Sequence, residues 1–149
     1  MADVQEAVRF CRPLGRVTAI GYSLGGRLSL LAGADHCIAI SPSLSRYYSD
    51  KTQEMLKAMR SHRVRPSDLG PLLAMQDQLP VWSGGKHPGQ NLLIVGERDV
   101  PEILEGCKAL GEKGVPVVEV PKALHSDTFM MERTFGAVRE KIREWYDRS

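Results

Sequence analysis

The sequence has no paired-cysteine motif, no long apolar run and no marked excess of charge of either sign. Its three cysteines, Cys11, Cys37 and Cys107, are odd in number and widely spaced, with no CxxC and no histidine at zinc-finger distance, which excludes a disulfide framework and a structural zinc site. They read as buried, reduced thiols and point to a reducing, cytoplasmic setting. The longest apolar runs are a handful of residues, against the roughly 20 that cross a bilayer, so no membrane span is expected. Asp3, Glu6, Arg9, Arg12 and Arg16 break up any signal-peptide core. Lys and Arg number 20 and Asp and Glu 18, a net charge of +2 that forms no basic stripe, and nucleic acid drops out as a partner. What remains is 149 residues, 42% hydrophobic and 26% charged, an ordinary composition for one globular domain.

Apolar spacing predicts the order of elements. Val4, Ala7, Val8 and Cys11 share a helix face that Pro13 and Gly15 end. Residues 16–20 read as a buried strand, Gly21 to Gly26 as a sharp turn, and Arg27–Ala32 as a helix closed near Gly33. A second buried strand, Cys37–Ile40, leads to Ser41-Pro42. Residues 43–90 are cut by Pro66, Gly70, Pro71, Pro80, Gly84, Gly85, Pro88 and Gly89, and read as an excursion from a compact core. Asp50 with Gln53 suggests a capping box ahead of Met55, Leu56 and Met59, and a further helix is expected around Leu72–Leu79. Asn91–Val95 is a third buried strand. A helix follows with Ile103, Leu104, Cys107 and Leu110 on one face, then a fourth strand, Val115–Val120, with Pro116 marking a sheet edge. The last helix carries Met131, Phe135, Val138, Ile142 and Trp145 as its apolar stripe. Strands alternating with helices predict an α/β fold, a mostly parallel sheet with helices on both faces.

The chemistry concentrates at Gly21-Tyr22-Ser23-Leu24-Gly25. A nucleophile presented at the end of a strand needs a tight, strained turn into the next helix, and the residues two before and two after it are expected to be tiny. Ser23 would then sit at a helix N-terminus, where free N–H groups favour negative charge. A serine hydroxyl needs a base, and the base needs an acid to fix its tautomer. Of four histidines, His36 precedes a strand, His62 ends a polar helix and His87 lies in a Pro/Gly-rich loop; only His125 follows the last strand. Parallel strands collect their C-terminal ends along one edge, so His125 would share that edge with Ser23. Asp99 follows the third strand at a suitable reach for the acid. Glu97 competes from the same loop, and capping of the following helix is the plain structural alternative for Asp99.

The three segments Val17–Gly26, Leu92–Asp99 and Val118–His125, in the order Ser23, Asp99, His125, resemble the α/β-hydrolase superfamily over nearly the whole chain. The resemblance implies that the four strands are the fifth to eighth of an eight-stranded sheet, about half of the fold. It implies a cap or lid over the substrate at 43–90, in a single, incomplete domain spanning 1–149. The stretch Gly96–Glu102 also resembles small-molecule carboxylesterases and arylformamidases. Serine at position 23 argues against the branches that use Asp there, epoxide hydrolases and haloalkane dehalogenases, and against dienelactone hydrolases, which use Cys. The implied activity is cleavage of small-molecule carboxylic esters through an acyl-enzyme. Ser23, Asp99 and His125 would be catalytic, Gly21 and Gly25 would form the nucleophile elbow, and the Leu24 backbone N–H would serve as one oxyanion donor, with no metal and no cofactor. The loop that supplies a second oxyanion donor in the family has no counterpart before residue 21. Absent strands would leave the elbow strand as an open edge, suited to a homo-oligomer or a complementing chain. The competing expectations are a non-catalytic, hydrolase-like assembly partner and an acyltransferase using the same triad. The aromatic and thioether side chains Tyr22, Tyr47, Tyr48, Met55, Met59 and Trp82 either line a pocket or simply pack the cap.

Overall fold

A computed structural model describes residues 1–61 and 68–147 of the protein, so the expectations for His62 and Pro66 lie outside the described residues. Four strands, β1 (Thr18–Tyr22), β2 (His36–Ile40), β3 (Asn91–Arg98) and β4 (Val117–Leu124), pair in parallel in the order β1-β2-β3-β4. Around them lie α1 (Ala2–Cys11), α2 (Leu24–Leu31), α3 (Asp50–Ser61), α4 (Gly70–Gln78), α5 (Pro101–Glu112) and α6 (Glu132–Tyr146).

The two central strands read as unbroken apolar runs because both of their faces are covered. Cys37, Ala39, Leu93 and Val95 point to one side, against Ile103, Cys107 and Leu110 of α5 and against Leu44, Tyr48, Leu56 and Leu69 from the excursion. Their alternates Ile38, Ile40, Leu92 and Ile94 point to the other, where α6 supplies Ala137, Val138, Ile142 and Trp145. Phe135, expected in that stripe, is instead 61% exposed: the buried face of α6 runs through Thr134 and Ala137, which turns Phe135 outward.

Both sheet edges depart from the expected bounds. β1 begins at Thr18 and is not a buried strand, since none of its five residues is fully covered and Ile20 is 49% exposed. It pairs with β2 on one side only. β4 is the other edge and carries Pro116 just ahead of it, where the proline carbonyl accepts the Leu93 N–H at 2.9 Å. Both β3 and β4 run further than apolarity alone predicts, because their ends pair beyond the apolar runs, Arg98 with Leu124.

In the excursion the helix cap is Ser49, not Asp50. The Ser49 carbonyl accepts the Gln53 N–H at 2.9 Å and its Oγ accepts the Thr52 N–H at 3.3 Å, while Gln53 Nε2 donates to the Tyr48 carbonyl. Glu102 of α5 fixes this turn by accepting the Ser49 N–H and the Thr52 hydroxyl, each at 2.8 Å. Arg27 of α2 ties the start of the excursion to its Leu79–Pro80 stretch. Its guanidinium has no exposed surface and donates to the carbonyls of Ser43, Ser45, Leu79 and Pro80. These bonds satisfy both terminal nitrogens of the buried cation, while its Nε has no partner among the described residues.

The cysteines are unpaired. Cys37 and Cys107 are buried, and burial pushes both thiols up to about 12, which leaves them inert at neutral pH. Cys11 is half-buried, contrary to expectation, because α1 covers the core only through Val8.

His36 lies under α6, stacked on Trp145 at 4.5 Å between ring centroids, with its Nδ1 unpartnered. Burial first, then the Arg16 and Lys141 cations, hold it below the usual imidazole range, with Asp35 opposing. Below about pH 6.5 the unfolded chain takes up a proton that the folded chain refuses, so stability falls on acidification and levels off beneath the folded value. His36→Gln is expected to flatten this loss between pH 7 and 5, measured as the urea midpoint at each pH. An unchanged slope would assign the acid sensitivity elsewhere.

Candidate active site

The β1–β2 register aligns Tyr22 with Ile40, so Ser23 and Ser41 leave adjacent strands at the same level. Ser23 N–H donates to the Ile40 carbonyl at 2.9 Å, and Ser41 N–H to the Ile94 carbonyl at 2.7 Å, extending the ladder one step beyond the strands. Ser23 then turns into α2 with φ 55° and ψ −120°, a left-handed conformation that costs a non-glycine residue about 1–3 kcal/mol. The turn is possible because position 21 has no side chain: a Cβ there would stand 2.2 Å from the Gly25 carbonyl oxygen and 2.5 Å from Ser29 Oγ. Gly26 is nearly as confined, with Pro42 3.2 Å away, but a Cβ at Gly25 would meet nothing within 4 Å. The requirement for a tiny residue two places after the serine therefore does not hold here. Gly25 faces open space. Leu24 opens α2, so its N–H has no intrahelical acceptor.

His125 reaches the same edge through a bulge. Gly96 pairs with Val120 but Arg98 with Leu124, so β4 spends four residues where β3 spends two. Such an irregularity re-aims the side chain beyond it. Lys122 within it adopts φ 60°, and its N–H donates to Glu97 Oε2 at 2.6 Å. Gly96 makes room, since a Cβ there would lie 2.4 Å from the Ala123 carbonyl oxygen. Glu97 thus holds the bulge from outside and does not touch the imidazole. Beyond it, Tyr22 donates its hydroxyl to the His125 carbonyl at 2.5 Å, and its ring lies tilted over the imidazole at 5.3 Å.

The side chains converge. Ser23 Oγ lies 3.1 Å from His125 Nε2, and His125 Nδ1 lies 2.8 Å from Asp99 Oδ1. The carboxylate can only accept, which puts the ring proton on Nδ1 and leaves Nε2 free to receive the serine proton. The Asp99 side chain has no exposed surface and that of His125 has 6%, so this pair is screened little by water. Asp99 is not a helix cap: Val100 occupies the N-cap of α5, and the one N–H of that turn that Asp99 Oδ1 accepts is that of Val100 itself, at 2.7 Å. Of the histidines set aside at the sequence level, the two that are described stay apart: His36 packs under α6 and His87 is exposed ahead of β3.

One polar partner was not anticipated. Ser41 Oγ donates to Asp99 Oδ2 at 2.6 Å from a fully buried position. Its only sequence signal is its place directly after an apolar strand, which Ser23 approaches in the same way. Two surface grooves lie away from these side chains. Grooves of about 570 Å³ along α6 and about 480 Å³ between Trp82 and α5 are lined by none of Ser23, Asp99 or His125. Among the candidate pocket residues, Tyr48 and Trp82 pack on the core and Tyr47 is exposed. Among the described residues no cluster of His, Cys, Asp or Glu is arranged to hold a metal ion, and no helix is long and apolar enough to cross a membrane.

This arrangement of sheet and helices recurs in solved structures. The chain superposes on a carboxylesterase of the ammonia-oxidizing thaumarchaeon Nitrososphaera gargenis with a TM-score of 0.62 at 16% identity, over 95% of this chain and 73% of that one. It superposes on an alpha/beta hydrolase enzyme from the sediment metagenome of the Mar Chica lagoon, Morocco, with a TM-score of 0.55 at 16% identity, over 97% and 71%. The fold is a partial α/β-hydrolase fold. A Pyrobaculum calidifontis esterase matches with a TM-score of 0.53 at 17% identity, over 95% of this chain and 58% of its own. No protein-family model matches the sequence, and no curated protein matches it significantly. At these identities the likeness is one of architecture. Within that fold, Ser23, His125 and Asp99 form a continuous side-chain hydrogen-bond chain.

Proposed function

We propose that this α/β-hydrolase chain carries the catalytic groups of a serine hydrolase that cleaves small-molecule carboxylic esters. The observation that carries the reading is the unbroken Ser23–His125–Asp99 relay, at 3.1 and 2.8 Å, on the C-terminal edge of a parallel sheet. Ser23 Oγ attacks the ester carbonyl carbon as His125 Nε2 takes its proton, and the Asp99 carboxylate stabilises the imidazolium. The Leu24 N–H, at the N-terminus of α2, meets the charge that develops on the carbonyl oxygen. His125 returns the proton to the departing alcohol, which leaves an acyl-Ser23. It then deprotonates a water that attacks the acyl carbon, releasing the acid and restoring the serine. These steps need neither a metal nor an organic cofactor.

The excursion at 43–90 is proposed as the cap over the substrate. The chain spans 58–73% of the three structures above, and a second oxyanion donor is proposed to come from polypeptide on the open side of β1. The exposed edge of β1 favours one other reading, a hydrolase-like chain that works by pairing with a complementing chain or a second copy. The unpaired thiols favour a reducing compartment such as the cytoplasm. A fluorophosphonate probe separates the two functional readings. The wild-type chain is expected to be labelled at Ser23, located by peptide mass, and Ser23→Ala to remain unlabelled. A well-ordered wild-type chain that takes no label at Ser23 would remove the enzyme reading.

A further inference from the structure

Asp99 has two carboxylate oxygens, and the relay accounts for only one. Oδ1 receives His125 Nδ1–H and the Val100 N–H. Oδ2 receives the Ser41 hydroxyl at 2.6 Å and, at 3.4 Å, the Gly96 N–H. The hydroxyl is therefore the one close partner of Oδ2. Buried carboxylate oxygens without such a partner are costly, and a donor on the rear oxygen also fixes the rotation of the carboxylate plane.

Ser41 is held for this task by more than its side chain. It is fully buried, adopts φ 44°, and its N–H is committed to the Ile94 carbonyl. A non-glycine residue keeps a left-handed backbone only where its surroundings over-determine it. Pro42, the next residue, sits against Gly26 of α2, so the chain after β2 is clamped between the elbow helix and β3. The same feature excludes Ser41 as a second nucleophile. Its Oγ is sealed from solvent and gives its proton to a carboxylate, while the imidazole faces Ser23.

We propose that Ser41 is a positioning residue of the site: its hydroxyl locks and polarises the Asp99 carboxylate from behind and thereby sets the orientation of His125 toward Ser23. The role rests on the hydrolase reading for its kinetic consequence, but the hydrogen-bond arrangement is testable without turnover.

Ser41→Ala keeps the backbone and removes the hydroxyl, and Ser41→Gly also relieves the left-handed strain should the alanine variant fold poorly. Turnover of a small aryl ester is expected to fall about 10–100-fold in kcat in both variants, the loss of one hydrogen bond to a charged group. KM should stay within about twofold, because Ser41 acts only through Asp99. In an Asp99→Asn background the Ser41 substitution should cost no further activity, whereas a purely structural serine would lose activity additively. Independently, the downfield proton resonance of His125 Nδ1–H, measured by NMR, should move in Ser41→Ala and persist unshifted in Ser23→Ala. Unchanged kcat together with an unmoved resonance would overturn the proposal. If the wild-type chain takes no probe at Ser23, the hydrolase reading falls, and the resonance alone then decides whether Ser41 orders the Asp99–His125 pair.

Discussion

Ser23→Ala and His125→Ala are each expected to lower ester turnover by about 10⁴–10⁶-fold, and the double variant by no more than either alone. The reason lies in the geometry: the serine proton has one place to go, Nε2 at 3.1 Å, and the imidazole has one charge to lean on, Asp99 at 2.8 Å. Removing either group removes the same step, so the second deletion finds nothing left to take. Asp99→Asn should cost about 10⁴-fold, since an amide can present an N–H to Nδ1 and invert the tautomer. Steady-state rates on one aryl ester, with fluorophosphonate labelling as a parallel measure, check all of these. Losses that multiply in the double variant would show that Ser23 and His125 act separately.

The second large effect is expected at the elbow. Gly21→Ala should destabilise the chain by about 3 kcal/mol or more, because the new methyl group would overlap a helix carbonyl at 2.2 Å and neither piece of backbone can give way. Gly25→Ala should do the opposite. Its Cβ projects into open space within α2, and alanine is favoured over glycine in a helix by about 0.5–1 kcal/mol, so stability should hold or rise. Urea midpoints of the two variants against wild type test the contrast. Equal destabilisation would mean that the elbow needs both glycines small, as the motif alone suggests.

His125 shows why local pattern stops short of the site. Its position after the last strand is readable from the sequence, but the strand runs to Leu124 and bulges at Lys122, and only that bulge turns the imidazole toward Ser23. Glu97 and Asp99 are acidic residues two apart at the end of β3, and nothing in their order says which faces inward. The pairing of β3 with β4 decides it: Glu97 points out to the Lys122 N–H, and Asp99 points in, beneath the imidazole.

The absences that the sequence displays, no long apolar run, no charge excess and no cysteine pairing, leave an ordinary α/β composition. Its periodicity then determines the alternation of strands and helices, because β2 and β3 are apolar on both faces and helix stripes repeat every three to four residues. Ser23 was legible for the same local reason, since an elbow is a matter of neighbouring residues. Ser41, the role of Glu97, the freedom of Gly25 and the exposure of Ile20 were decided by the tertiary structure alone. Each depends on strand register or on what stands across a gap, and those are set between residues 18 to 58 positions apart in the chain, such as Thr18 and His36, or Ser41 and Asp99.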